Sequence, residues 1–213
     1  MFSQLLTPDV FLWVPALIIA FSFHEFAHAY VSNHLGDPTP RLRGRLTLNP
    51  MAHIDPIGFL MLLLFRFGWA KPVVVNPYNY RHRERGYAYV ALAGPVMNLL
   101  LAFVSTFLLF ASARFWPLEA LLRFLQYLVM YNIYLAVFNL IPIPPLDGSK
   151  LLFLFLPRSV VYRYLDAVQQ YGFLILILLI SSGAIGRLIG PFYDLFRRIF
   201  FRVVGILFGV SWY

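Results

Sequence analysis

The chain has 213 residues, of which 61% are hydrophobic and 12% charged, and its mean hydropathy is +0.74. A soluble globule carries about 25% charged residues, so the composition excludes that class and describes a polytopic membrane protein forming one domain over residues 1–213. The net charge of +8 lies in short arginine clusters between apolar runs, a membrane-anchoring pattern, so no nucleic-acid partner is expected.

The chain has no cysteine, which removes disulfides and thiolate metal sites and leaves His, Asp and Glu as metal ligands. The first 30 residues lack a basic leader and a small-residue cleavage site, so the first apolar run is expected to be a retained membrane helix. Thr7-Pro8-Asp9 supplies its start, and the helix is expected to reach about Asn33. Within Val10 to Tyr30 the only charged residue is Glu25, in the segment His24-Glu25-Phe26-Ala27-His28. Residues four apart share a helix face, so His24 and His28 can offer two imidazoles to one ion while Glu25 flanks them, the signature of a zinc hydrolase. An ionisable residue in a membrane-length run costs roughly 2.5 kcal/mol or more unless compensated, so function is the default reading.

Gly36-Asp37-Pro38 ends this helix. The stretch to about Ile57 alternates β-prone pieces with turn formers and predicts a small hairpin or extended segment at the membrane surface. The apolar run from Ile57 to Phe67 is half the length of a span, and predicts a re-entrant or interfacial element. A second span is expected at Tyr87 to Ala113, with Gly94-Pro95 and Asn98 at membrane depth. A third is expected from about Leu121 to Ile141, ending in the proline-broken stretch Asn139 to Gly148. Broken backbone at a membrane is tolerated where protein buries it or where it lines a wet cavity. A short apolar helix at Leu151 to Leu156, a fourth span at Tyr171 to about Ile189 and an amphipathic interfacial helix from Phe192 complete the chain. The expected fold is an all-α membrane protein with a three-helix core, about residues 9–156, a short β or re-entrant segment, and accessory C-terminal helices over about 157–213.

A catalytic zinc takes three protein ligands and keeps a fourth position for water. His34 lies about 240° around the helix from His28 at 100° per residue and cannot share its ion. Glu84 sits among arginines, Glu119 beside a turn and His82 between arginines, while His53 and Asp55 have no helical register. Asp147 follows broken backbone and could project into a cavity, or could cap the helix after it. Topology bears on the choice: with three spans before it, Asp147 emerges on the side of His24, and with four it would not. Eleven of the 17 Lys and Arg then lie on that side, in the Arg41 to Arg85 cluster and at Lys150, Arg158 and Arg163, which predicts that it is cytoplasmic. His24, 14 residues after Val10, is about 21 Å along the helix and about 9 Å inside the edge of a 30 Å core.

These residues resemble the site-2 proteases, intramembrane zinc metalloproteases. The likeness rests on His24-Glu25-Phe-Ala-His28, on Ala93-Gly94-Pro95-Val-Met-Asn98, and on Asn139-Leu-Ile-Pro142-Ile-Pro144-Pro-Leu-Asp147-Gly148. Asn49-Pro50-Met-Ala-His53-Ile-Asp55-Pro56 and Gly68-Trp69-Ala70-Lys71-Pro72 are similar to a compact bacterial-type branch, with no room for PDZ or CBS-type nucleotide-binding domains. The resemblance implies one Zn2+ held by His24, His28 and Asp147, with Glu25 as general base. It also implies that Asn139 helps hold the substrate or its polarised carbonyl, and Asn98 is a further candidate for that support. Gly94 to Asn98 would let helices pack closely. The implied activity is hydrolysis of peptide bonds in or near transmembrane segments of other proteins, within the lipid bilayer of the cell membrane. Intramembrane His, Asp and Glu also mark ion paths, so a metal-ion or proton transporter is the competing class. A transporter would string such residues through several spans and show a repeat between halves, and no repeat is visible.

Overall fold

In the computed structural model of the protein, the described residues are 9–65 and 68–209. Thr7 and Pro8 of the expected first cap, the end of the short apolar run at Arg66 and Phe67, and the last four residues lie outside them. Among the described residues three single helices are long and apolar enough to cross a membrane: α1 (Val10–His34), α4 (Arg83–Phe115) and α5 (Glu119–Asn139). They pack against one another as the core of an all-α polytopic membrane protein. Asp9, at the start of α1, meets Arg123 and Tyr127 near the start of α5 at 3.3 Å each, so these two helices run in the same direction. Between them α4 runs the opposite way, and the ends of α1 and α5 share one side.

The expected hairpin does not form, since no strand occurs among the described residues. Pro38, Pro40, Pro50 and Pro56 and the left-handed Gly44 (φ 66°) divide this stretch into a four-residue helix α2 (Thr39–Leu42), a single helical turn at Pro50–Ala52 and irregular chain. Its polar groups are satisfied by side chains instead of a ladder. Asp37, fully buried, accepts from Ser32, from the backbone and hydroxyl of Thr39, from the backbone N–H of Asn76 and from the amide of Asn79. Arg45 donates to the carbonyls of Ala52 and Lys71.

The short apolar run forms α3 (Pro56–Phe65). Chain entering at Ile54 and chain returning at Ala70 are joined by an antiparallel bridge, and Lys71 N–H donates to His53 O at 2.8 Å. The element therefore enters and leaves on one side, as its length requires. Its Leu62 packs with Trp13 and Leu17 of α1 and with Tyr131 and Leu135 of α5.

Beyond α5 come α6 (Gly148–Leu151), one helical turn at Leu152–Leu154, α7 (Arg158–Gln169), α8 (Gly172–Ser181) and α9 (Ala184–Leu207). The run expected as one span from Tyr171 to Ile189 is broken, because Gly183 takes the left-handed conformation (φ 71°) between α8 and α9. Ten residues in α8 rise only about 15 Å, and α8 joins α7 at a 67° bend. The final helix begins eight residues earlier than expected and lies along the core: Tyr193 stacks on Tyr134, Phe200 meets Phe103, and Phe208 meets Phe107.

Candidate metal centre

His24 and His28 lie one helical turn apart on α1, their rings edge to face at 4.6 Å and their Nε2 atoms 3.0 Å apart. Asp147 Oδ2 sits 3.3 Å from His24 Nε2 and 3.0 Å from His28 Nε2. The carboxylate makes no capping bond to α6; it faces the histidines instead. It reaches them because the Pro142 to Pro145 stretch turns the chain back beneath the end of α5. That turn requires Gly148, where a Cβ would lie 2.3 Å from the Leu140 carbonyl oxygen.

The outer ring nitrogens are committed. His24 Nδ1 lies 2.6 Å from Asn98 Oδ1 and His28 Nδ1 lies 2.7 Å from Val90 O. Both Nδ1 atoms face acceptor oxygens and so carry the proton, which leaves each Nε2 lone pair directed at Asp147. Asn98 is held in turn, its amide donating to Ala20 O at 3.1 Å and to Asn132 Oδ1 at 2.7 Å. Asn132 donates to Leu128 O on its own helix. Gly94 closes the arrangement: a Cβ there would sit 2.5 Å from both His24 Cε1 and His28 Nε2.

This is the one group of three or more His, Asp or Glu ligand atoms brought together among the described residues. A tetrahedral ion with bonds of about 2.0 Å sets its ligand atoms about 3.3 Å apart, close to the three separations observed. Two neutral imidazoles and a carboxylate are also a donor set that suits zinc. The geometry therefore fits a zinc ion held by three protein ligands.

The other sequence candidates are elsewhere. His34 is exposed and stacks on Tyr30; His82 is exposed. His53 is buried against Thr47 O, and Asp55 accepts from Gly58 N–H. Glu84 pairs with Arg158 and Glu119 with Arg123. Asn98, a candidate for substrate support, is fully buried behind the His24 ring and does not face the cavity. Its amide is committed to His24, Ala20 and Asn132. Asn139 does line the cavity, with its amide donating back to Leu135 O.

The cavity, about 830 Å³, opens beside the three ligands. Its walls are mostly apolar, from α1, α3, α5 and α8, with Glu25 and Asn139 among the few polar groups. An irregular strap, residues 71–76, borders it through Pro72 to Val75, and the Val73 N–H donates to Glu25 Oε2 at 2.9 Å. The strap contact, Asn132 and Lys150 escape a reading of the sequence. Asn132 left a signal, an amide in the middle of a membrane-length run; the other two left none, because their partners are distant or ambiguous.

Three membrane helices around a His-His-Asp centre, with a carboxylate beside it, define the class: a membrane metallohydrolase. Comparison with known proteins agrees. The profile of peptidase family M50 matches residues 114–179. The Bacillus subtilis protein named "Putative zinc metalloprotease YwhC" is 35% identical over 202 residues, covering 92% of this chain and 91% of that one. "Putative zinc metalloprotease Rip2" of Mycolicibacterium smegmatis is 34% identical over 181 residues, 80% of this chain and 66% of its own length. "Putative zinc metalloprotease MJ0611" of Methanocaldococcus jannaschii is 35% identical over 96 residues, 45% of this chain and 49% of its own. No solved structure matches. The chain belongs to peptidase family M50, the site-2 proteases. It is a membrane zinc metalloendopeptidase.

Proposed function

We propose that His24, His28 and Asp147 ligate a single zinc ion, that Glu25 is the general base, and that the substrate is a transmembrane segment of another protein, cut during regulated intramembrane proteolysis. The convergence of three ligand atoms on an apolar cavity among membrane helices carries this reading. Zinc, when bound, supplies a Lewis acid that acidifies water and polarises a carbonyl. Glu25, on the cavity wall one residue from His24, takes the proton of the attacking water and returns it to the leaving amine. Asn139 donates to or orients the substrate backbone. Because the amides of a helix are already bonded, the substrate must unwind locally to enter, and helix-breaking residues near the cut should help.

The site opens toward the cytoplasmic side of the cell membrane in this reading, on the strength of the Lys and Arg excess there. Transport is disfavoured by the buried polar groups deeper in the core. Asn98, Ser105, Thr106 and Asn132 are all non-ionisable, so no relay of titratable groups leads across the helices among the described residues.

Purified protein and its Glu25→Gln variant test the reading together. Both are expected to bind one equivalent of zinc, and only the unsubstituted protein to cleave a transmembrane substrate in detergent or liposomes. Cleavage surviving in Glu25→Gln would sink the general-base assignment. Zinc flux into liposomes without cleavage would replace the protease by the transporter.

A further inference from the structure

Among the described residues one cation borders the cavity. Among its described lining residues, Lys150 is the only Lys or Arg. It lies three residues after Asp147, and its Nζ is 2.9 Å from Asp147 Oδ1. The other carboxylate oxygen, Oδ2, is the one that faces His24 and His28. The two oxygens of one side chain thus have separate partners. The backbone holds the same geometry, since Lys150 N–H donates to Asp147 O at 2.9 Å, and the ammonium also lies over the Tyr87 ring. The Lys150 side chain is 26% exposed, toward the cavity it lines.

This division of the carboxylate matters for the chemistry. A centre with three protein donor atoms keeps a fourth position for water, and one with four is closed. A carboxylate free to rotate can offer both oxygens to an ion and fill that position.

We propose that Lys150 is the positioning residue of the metal centre, holding Oδ1 of Asp147 so that the carboxylate presents one oxygen to zinc and the remaining coordination position stays open to water. A compact ammonium suits this task because it binds one oxygen as a point charge. The inference rests on the ligand set of His24, His28 and Asp147.

The test uses the full-length protein loaded with zinc, and with cobalt(II) in parallel. Lys150→Met removes the charge and the donor at similar length; Lys150→Gln keeps a donor without the charge and serves if Lys150→Met does not fold; Lys150→Arg keeps both. Expected for Lys150→Met are retention of one metal per chain, exchange of the water oxygen for the second carboxylate oxygen, read as a carboxylate-carbon path in the zinc X-ray absorption spectrum, and an altered cobalt d–d spectrum. Its kcat is expected to fall 10- to 100-fold with KM within about twofold. Lys150→Arg should restore the unsubstituted spectrum. Spectra and absorption shell unchanged in both Lys150→Met and Lys150→Gln would overturn the proposal. Asp147→Ala separates its failure from that of the underlying reading. If Asp147→Ala changes the cobalt spectrum while the Lys150 variants do not, only the positioning role falls. If Asp147→Ala leaves metal affinity and spectrum intact, the ligand set itself falls.

Discussion

The backbone N–H of Val73 donates to the carboxylate of Glu25 at 2.9 Å, across 48 positions of sequence. The strap that carries Val73 is tethered on both sides, by the Lys71 to His53 bond before it and by Asn76 to Asp37 after it. The contact therefore couples a residue of the metal motif to the loop that borders the cavity. One Glu25 oxygen is engaged, which fixes the direction of the side chain.

Replacing Val73 by Pro removes that donor. The expected result is a fall in kcat of about tenfold with zinc content unchanged, in line with the loss of a hydrogen bond to a charged group. Val73→Ala retains the amide and should retain the rate. Equal rates in all three proteins would show that the bond plays no part in turnover.

Gly94 and Gly148 are read by sterics. Gly94→Ala drives a methyl to 2.5 Å from both histidine rings, and is expected to lower zinc affinity by at least tenfold while the helices persist. Gly148→Ala meets a backbone carbonyl at 2.3 Å; backbone cannot yield as a side chain can, so the turn that brings Asp147 to the histidines is expected to be displaced and zinc affinity lost. Zinc titration against a chelator and far-UV circular dichroism distinguish loss of the site from loss of the fold.

Asn98 and Asn132 form a relay behind the site. Asn98→Ala leaves His24 Nδ1 without its acceptor, so zinc affinity should fall 10- to 100-fold. Asn132→Ala leaves Asn98 with its bond to Ala20, so the loss should be smaller. Chelator competition on the purified variants reads both values, and an inverted order would show that Asn132 holds the site by another route.

Asp37 links α1 to the strap. Burial would raise its carboxyl, but the donors from Asn76, Thr39 and Asn79 outweigh burial and hold it below its ordinary value of 3.8. A depressed carboxyl stabilises the folded chain fully above the ordinary value and loses that contribution as pH falls through the folded value. Hydrogen exchange in residues 36–45 and 73–80 is therefore expected to be slow at pH 7 and to show this loss of protection only below about pH 3.8. Asp37→Ala should show fast exchange there at pH 7, at a cost of about 3 kcal/mol from its severed bonds.

The three spans were legible because each is a long apolar run, and α3 because its run is too short to cross. The break in the fourth run was not legible for a physical reason: hydropathy sees the apolar residues on both sides of Ser182-Gly183, not the left-handed turn that separates them. Of the hairpin or extended segment expected before α3, the hairpin does not form among the described residues. Its β-prone residues carry local propensity, but Asp37 and Arg45 collect the backbone groups a ladder would have used. Asn98 could be recognised as functional by its depth, yet its task could not, since depth does not say which face of α4 meets α1.

The sequence by itself determined the membrane class, the spans and the pairing of His24 with His28, because hydropathy and the helical repeat are local properties that need no partner. It left Asp147 divided between capping and the histidines, since both uses suit an Asp before Gly. Only the tertiary structure decided that its carboxylate faces the histidines, that Asn98 stands behind His24, and that a strap amide reaches Glu25. Each of these is a contact of a few ångströms between groups 48 or more residues apart, set by the packing of helices α1, α4 and α5 and invisible to any local period.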